Sequence, residues 1–149
     1  CSSDLMALIE AILADPAFGM DIKDSDGHLL RLDIPVEQGG NGSGFRPMQT
    51  VLAALAGCSS VDIISILKKQ KQELASLKIE VDGKREEGKE PSLWKEIELK
   101  FLLDGNIEAS KAKRAVDLSL EKYCSVAETL RKAGANIQHV IYLNGDKIN

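Results

Sequence analysis

The fold depends on residues 45–70, which read FRPMQTVLAALAGCSSVDIISILKKQ. Pro47 suits the first turn of a helix, because the amide hydrogen that proline lacks would be unpaired there anyway. After Pro47, small and apolar residues occupy every side of the predicted helix as far as Lys68. A helix that is apolar all round is typical of a protein core. Residues 45–70 therefore predict a buried central helix, with Cys58 in its middle.

The composition is that of a globular protein. The 149 residues are enough for one domain with a sizeable core, so we predict a single domain over residues 1–149, with an atypical N-terminal segment at residues 1–17. The formal net charge of -4 argues against a general nucleic-acid binder, which needs a basic face. No apolar run approaches the roughly 18 residues of a membrane span. We therefore expect neither a nucleic-acid nor a membrane partner.

Cysteine and histidine are sparse. Three cysteines are an odd number and too few for a disulfide scaffold, which suits a reducing compartment, the cytoplasm. The two histidines, His28 and His139, are far apart in sequence, and no Cys/His cluster has ligand spacing, so no metal site is predicted. The start, Cys1-Ser2-Ser3, leaves two alternatives open, namely the mature end of a lipidated protein and a processed or cloned start.

The segments before the central helix have clear patterns. Apolar residues at helical spacing, with Asp4 as a candidate N-cap, predict a helix over residues 4–14. Alternation over 18–23 and 28–33, around a turn at 25–27, predicts a β-hairpin. The glycine-rich residues 38–44 predict a flexible loop. Without the Lys-Ser/Thr of a Walker motif, they do not favour phosphate binding.

After the central helix, the sequence predicts two strands, then a helical region, then a last strand. Residues 77–83 and 94–101 alternate, and the second places Ile97, Leu99 and Phe101 inward. Residues 104–106 predict a turn. Residues 107–120 have helical spacing, which residues 123–132 continue or restart, and residues 137–143 form the last strand. This order predicts an α+β fold with a largely antiparallel sheet. The predicted buried face of the helix is Ala112, Ala115, Val116, Ser119 and Leu120.

Cys58 and Cys124 have similar local surroundings. Each precedes a serine that is followed three residues later by an acid, Asp62 or Glu128, which approximates a capping box. If a helix begins at each serine, each sulfur lies at a positive helix end that favours the reactive thiolate. If the helices run straight through, the serines bond back to carbonyls and burial makes the thiols inert. The residues alone leave both alternatives open.

Several segments resemble the OsmC/Ohr family of thiol peroxidases. In the central stretch these are residues 44–49, 52–59 and 62–69. Matching segments in the same order and spacing are Asp26-Gly27-His28, Pro91-Ser92 and residues 115–126 with Cys124. The resemblance covers about residues 18–143. It is closest to a branch with Pro-Met-Glu/Gln before the helix, much of which is functionally uncharacterised.

The resemblance implies an OsmC/Ohr-like α+β fold in which a mostly antiparallel sheet wraps a buried central helix within an intertwined homodimer. It implies that Cys58 attacks a hydroperoxide as the thiolate and becomes a sulfenic acid. Cys124 would then form a disulfide with it, which a dithiol reductant reopens. No metal, haem or other cofactor is implied. The helix spacing also predicts an apolar wall of Val51, Leu55 and Val61 near Cys58, which favours organic hydroperoxides.

One position departs from the organic-hydroperoxide branch, in which a Glu ten positions before the first cysteine pairs with an Arg. Met48 stands there in this chain, and the neutral Gln49 follows it. Arg46 and Arg31 are the candidate replacements for the arginine. Arg46 is about 18 Å from Cys58 along a straight helix, so it reaches this thiol only where the segment bends. The predicted catalytic residues are Cys58, Cys124, Arg46 and Gln49.

The family and the local pattern disagree at the N-terminus. Family members usually open with a strand, which would put Ala7, Ile9, Ala11 and Leu13 on one face, whereas the local spacing favours a helix. Both alternatives stay open here, and the helix is the one we favour. The predicted function is a thiol-dependent hydroperoxide reductase. The alternatives are a non-catalytic protein that binds a small apolar ligand at the dimer interface, and a structural domain of a surface lipoprotein, suggested only by Cys1.

Overall fold

A computed structural model describes residues 5–149, which form two compact units, one ending at Val51 and one spanning Leu52–Asn149. Cys1 and the candidate N-cap Asp4 lie outside the described residues. The first unit contains an antiparallel sheet of β1 (Glu10–Leu13), β2 (Met20–Lys23) and β3 (Leu29–Leu32), in the order β1-β2-β3. The predicted hairpin is confirmed, with β2 and β3 joined through a turn at Gly27 that has φ 87°.

The predicted N-terminal helix is wrong. Residues Glu10–Leu13 form β1, which pairs with β2 in the register Leu13↔Met20. Isolated helices of this length are marginal, and four residues of ladder pairing override a local preference worth only tenths of a kcal/mol per residue. The strand that the family resemblance implied is the one observed, at the edge of the sheet.

A buried carboxylate organises the loop after β3. Asp33 is 2% exposed and accepts hydrogen bonds from the amides of Ile34, Asn41 and Ser43 and from the hydroxyl of Ser43. The hydroxyl and amide of Ser43 lower the pKa of Asp33 to about 2, so the side chain stays ionised. A Cβ at Gly40 would lie 2.2 Å from the Ile34 carbonyl oxygen, which is why this tight loop needs glycine. The predicted flexible loop is therefore closely tied to one side chain.

The central helix, α1 (Pro47–Lys69), begins in the first unit and continues into the second. Within this chain only one of its faces is buried, through Leu55, Cys58, Ser59, Ile63 and Leu67. By length and composition alone, α1 is the one helix within residues 5–149 that would suffice to cross a membrane, a test that the core helix of a soluble protein also passes. Val61 and Ile64, about half exposed, lie on the side turned away from the core.

The second unit contains a four-stranded sheet of β4 (Glu73–Arg85), β5 (Trp94–Asn106), β6 (Asn136–Leu143) and β7 (Asp146–Lys147), in that order. Every strand pairing in the described residues is antiparallel except β5–β6, which is parallel. The crossover that a parallel pair requires consists of α2 (Ala109–Leu118), a π-helical turn (Ser119–Tyr123) and α3 (Ser125–Lys132).

The core of this unit lies between the sheet and the helices. Alternate residues of β5, namely Ile97, Leu99 and Phe101 as predicted and also Leu103, are nearly inaccessible. The predicted face of the helix over residues 107–120 is confirmed, since all of its five members are buried. The predicted turn at residues 104–106 is wrong, because β5 continues to Asn106. There Gly105 (φ 146°) lies so close to β4 that a Cβ would be 2.0 Å from the Glu73 carbonyl oxygen.

Candidate active site

Cys58 lies within a helix that continues through it. Ser59 and Ser60 donate their hydroxyl hydrogens to the carbonyls three residues earlier, those of Ala56 (3.1 Å) and Gly57 (2.7 Å). Of the two alternatives left open by the sequence, the straight helix is therefore correct for this cysteine. Cys58 is only 8% exposed and does not lie at a helix N-terminus.

Cys124, unlike Cys58, lies at the N-terminus of a helix. The π-helical turn ends with the Cys124 amide donating to the Ser119 carbonyl at 2.7 Å, and Cys124 then becomes the N-cap of α3. Its Sγ accepts a hydrogen bond from the amide of Ala127 at 3.4 Å. The helix thus restarts, as one alternative predicted, but the cap is Cys124 itself rather than Ser125. The sulfur lies at the positive end of α3, where a negative charge is stabilised.

The two sulfur atoms meet, although the residues are far apart in the chain. Burial, the largest cause, together with a hydrogen bond to Cys58 and the negative charge of that side chain, raises the pKa of the Cys124 thiol to about 11. The amides of Ala127 and Val126 oppose this shift by hydrogen bonding to the sulfur. Both residues are present as thiols, with no disulfide joining them. Cys124 therefore keeps its proton at neutral pH.

Ser119 links the two cysteine-bearing segments. Its hydroxyl is buried and donates to the Ser59 carbonyl at 2.9 Å, while its own carbonyl accepts the Cys124 amide. The hydroxyl also lies 3.4 Å from Oδ2 of Asp62. Sequence reasoning placed Ser119 on the buried face but assigned it no role. The available signal was a single hydroxyl on a face otherwise made of alanine, valine and leucine, because a buried polar group needs a partner.

The π-helical turn is braced on its other side by Arg131 of α3. The guanidinium donates to the Leu120 carbonyl at 2.6 Å. A π-helical turn leaves carbonyls without regular helical partners, and such turns are frequent at functional sites. Arg131 and Ser119 together hold the turn that directs Cys124 toward α1.

The other predicted catalytic residues, Arg46 and Gln49, belong to the first unit. The amide of Arg46 donates to Oε1 of Gln49 at 3.0 Å, the reach-back half of a capping box at the start of α1. Arg31, the other candidate cation, pairs with Asp21 at 2.6 Å, and this partner raises the pKa of the guanidinium. The structure thus gives Gln49 and Arg31 local tasks, and their catalytic roles remain predictions.

One group of side chains with metal-ligand chemistry occurs in the described residues. Ligand atoms of Asp24, Asp26 and His28 lie within 4.8 Å of one another in the exposed β2–β3 turn, a clustering that sequence spacing did not suggest. Asp24 already caps this turn by accepting the amides of Asp26 and His28, and its other oxygen lies 2.7 Å from the His28 ring. These contacts stabilise the turn of the β2–β3 hairpin, which is sufficient to explain why the three side chains lie close together.

The α+β fold with two sheets, together with one cysteine on α1 and one just before α3, defines the class of protein. The chain belongs to the OsmC-like protein family, whose model matches residues 40–140. Protein YhfA of Escherichia coli strain K12 is 40% identical over 121 residues, which cover 78% of this chain and 84% of YhfA.

Solved structures agree with this assignment. A hypothetical protein from Aquifex aeolicus VF5 has a TM-score of 0.77 at 33% identity, covering 93% of this chain and 98% of its own. An organic hydroperoxide resistance protein OsmC from Legionella pneumophila has a TM-score of 0.71 at 19% identity, covering 93% and 98% of the two chains. At that identity the second likeness concerns the fold alone.

Replacing Ser119 by alanine tests the link between α1 and the π-helical turn. The Ser119→Ala variant is expected to lose about 1 kcal/mol of unfolding free energy, because one buried hydrogen bond disappears. Chemical denaturation measures this loss, and Ser110→Ala, at an exposed position on α2, is the matched control. Equal stability of the two variants would contradict a structural role for the Ser119 hydroxyl.

The pKa of Cys124 tests the contact between the thiols. Thiolate absorbance followed against pH, in a Cys1→Ser background, is expected to give a Cys124 midpoint near 11. In Cys58→Ser the midpoint should fall, because the neighbouring negative charge that disfavours the Cys124 thiolate is gone. Burial still acts in the variant, so the midpoint should stay above the ordinary value of 9.0. A midpoint that is insensitive to Cys58 would mean that the sulfurs do not interact.

Proposed function

We propose that this protein is a thiol-dependent hydroperoxide reductase that uses Cys58 and Cys124. The observation that carries the proposal is the hydrogen bond between two buried thiols, one on α1 and one at the N-terminus of α3. Family membership supports it, since some structural neighbours are named organic hydroperoxide resistance proteins.

In the proposed reaction Cys58 is the nucleophile. Its thiolate attacks the terminal oxygen of ROOH, the O–O bond breaks, and Cys58 becomes a sulfenic acid while an alkoxide leaves. The proton of Cys124 neutralises the alkoxide to the alcohol. The same transfer converts Cys124 into a thiolate, which is the form that can react next.

The second step closes the disulfide. The Cys124 thiolate attacks the Cys58 sulfur, the S–S bond forms, and hydroxide leaves and takes a proton from solvent to become water. A dithiol reductant then reopens the bond by thiol–disulfide exchange and is itself oxidised to a disulfide. The amides of Ala127 and Val126 at the start of α3 stabilise the negative charge on Cys124 between these steps.

The catalytic roles of Arg46 and Gln49 stay predictions in this proposal. Gln49 acts by holding the backbone of Arg46 at the first turn of α1. Since the chemistry needs reduced thiols at rest, the cytoplasm is the proposed compartment.

Cysteine variants test the chemistry. The wild-type protein is expected to consume cumene hydroperoxide with a dithiol reductant, and Cys58→Ser should reduce consumption to the uncatalysed rate. Cys124→Ser should accumulate a sulfenic acid on Cys58 that dimedone traps, because the second thiol is missing. Mass spectrometry and the consumption rate measure these outcomes, with Ser110→Ala as the control.

A wild-type rate equal to that of Cys58→Ser would end the proposal. If dimedone also failed to label the peroxide-treated protein, and native mass spectrometry detected a co-purified apolar molecule, the non-catalytic binding protein would be favoured instead.

We also propose that two copies pair through the exposed face of α1, which is continuous and apolar. Val61 is 52% and Ile64 48% exposed, and Ala53, Ala54 and Gly57 precede them on the same side of the helix. Small residues allow helices to approach closely, and exposed apolar patches of this kind mark interfaces. The intertwined homodimer implied by the family resemblance would cover this face.

Charge introduced on this face tests the pairing. Val61→Asp combined with Ile64→Asp is expected to shift the protein from dimer to monomer in sedimentation velocity, because an interface cannot bury unpaired carboxylates cheaply. Val36→Asp, at an apolar position that is 67% exposed in the first unit, is the control and should leave the mass unchanged. A wild-type protein that sediments as a monomer would contradict the pairing.

A further inference from the structure

A cleft next to the thiol pair has no role in the chemistry proposed above. It lies in the second unit between the C-terminal half of α1 and the segment formed by α2 and the π-helical turn, and its volume is about 410 Å³. Ligand sites commonly begin at about 300 Å³, so a small molecule fits. The residues that matter for its chemistry are Asp62, Lys69, Gln70, Arg114, Leu118 and Tyr123.

Two cations face this cleft from opposite walls, Lys69 from α1 and Arg114 from α2. Within the described part of the chain, no carboxylate lies within 4.0 Å of either one. The other basic residues of α2 differ, because Lys111 pairs with Glu108 and Lys113 with Asp117. The cleft therefore presents two positive charges that form no ion pair in the described part of the chain, and a carboxylate is their natural partner.

The charges are separated along the cleft. Asp62 lies about 10 Å from Lys69 along the axis of α1, at the end near the thiols, since it follows Cys58 by one helical turn. The hydroxyl of Ser119 lies near its carboxylate at 3.4 Å. An anion is repelled from the Asp62 end and attracted to the Lys69 end, which fixes the direction in which an anionic molecule would lie.

Gln70 adds a hydrogen-bonding requirement. It lines the cleft, and its Oε1 atom is buried with no hydrogen-bond partner within the part of the chain that the structure describes. A buried acceptor left unpaired costs free energy, and such atoms are rare in folded proteins. Because Gln70 follows Lys69 directly, rotation of its side-chain amide toward the cleft would let a ligand hydroxyl close to the carboxylate supply the missing donor.

Part of the remaining wall is apolar. Leu118 and the half-exposed ring of Tyr123 lead from the cations toward Cys124, which follows Tyr123 in the chain. We propose that this cleft binds a small amphipathic hydroxycarboxylate. Its carboxylate lies between Lys69 and Arg114, its hydroxyl donates to Gln70, and its chain lies along Leu118 and Tyr123. This site does not depend on the proposed redox chemistry.

Binding of defined probes to the whole protein tests this site. NMR titration with 3-hydroxyoctanoate is expected to shift the amides of residues 62–70 and 114–123. Octanoate, which lacks the donor for Gln70, should bind roughly fivefold more weakly. Octan-1-ol, which lacks the charge, should bind about tenfold more weakly still.

Charge-removing variants locate the site. Lys69→Gln combined with Arg114→Gln should weaken binding of 3-hydroxyoctanoate by at least about tenfold. Lys68→Gln removes the same charge one position away, on a residue that does not line the cleft, and should change nothing. Both positions are exposed, so the variants are expected to fold, which their amide spectra check.

Two results would overturn the site. One is the absence of shifts at the cleft with 3-hydroxyoctanoate up to about 10 mM, a limit that corresponds to negligible affinity. The other is equal binding by the double variant and Lys68→Gln. Neither result bears on the peroxide assay, because cumene hydroperoxide has no carboxylate. Failure of this proposal and failure of the proposed function can therefore be told apart.

Discussion

The hydrogen bond from the buried Ser119 hydroxyl to the Ser59 carbonyl is the contact on which the thiol site depends. It joins positions 60 residues apart, one beside Cys58 and the other at the start of the turn that ends at Cys124. Ser119 also accepts the Cys124 amide through its own carbonyl. Through its side chain Ser119 therefore positions α1 against the π-helical turn, and through its carbonyl it fixes the backbone of Cys124, where the turn ends. Without this link, only packing and the hydrogen bond between the two side chains would hold the sulfurs together.

The site is electrostatically asymmetric even though it contains two identical functional groups. Cys58 lies within an unbroken helix, whereas Cys124 caps α3 and receives backbone amides. Burial and the neighbouring Cys58 keep the proton on Cys124, while those amides make its later ionisation less costly. In the proposed reaction, the proton that Cys124 holds goes to the alkoxide and completes the first step. The same transfer leaves Cys124 as the thiolate that the second step needs.

Three faces of α1 have different partners. One packs into the core through Leu55, Ile63 and Leu67, and one is exposed and apolar around Val61 and Ile64. A third, which runs from Asp62 past Ser65 to Lys69, borders the cleft. These positions follow the helical repeat, so a single helix serves core, proposed interface and proposed binding site at once. This division explains why residues 47–67 contain so few charges.

The sequence by itself determined the features that arise from neighbouring residues. The hairpin over residues 18–33, the alternation of β5 and the buried face of α2 were all predictable, because side-chain period and turn residues are local properties. Local pattern failed at Glu10–Leu13, where pairing with β2 outweighed helix preference, and at Gly105, which continues a strand because β4 lies against it. The two Cys-Ser motifs were indistinguishable in the sequence. Only the tertiary structure decided that the helix continues at one and restarts at the other, and that the sulfurs meet, because both outcomes depend on bonds such as that of Ser119 to Ser59, whose partners no local pattern relates.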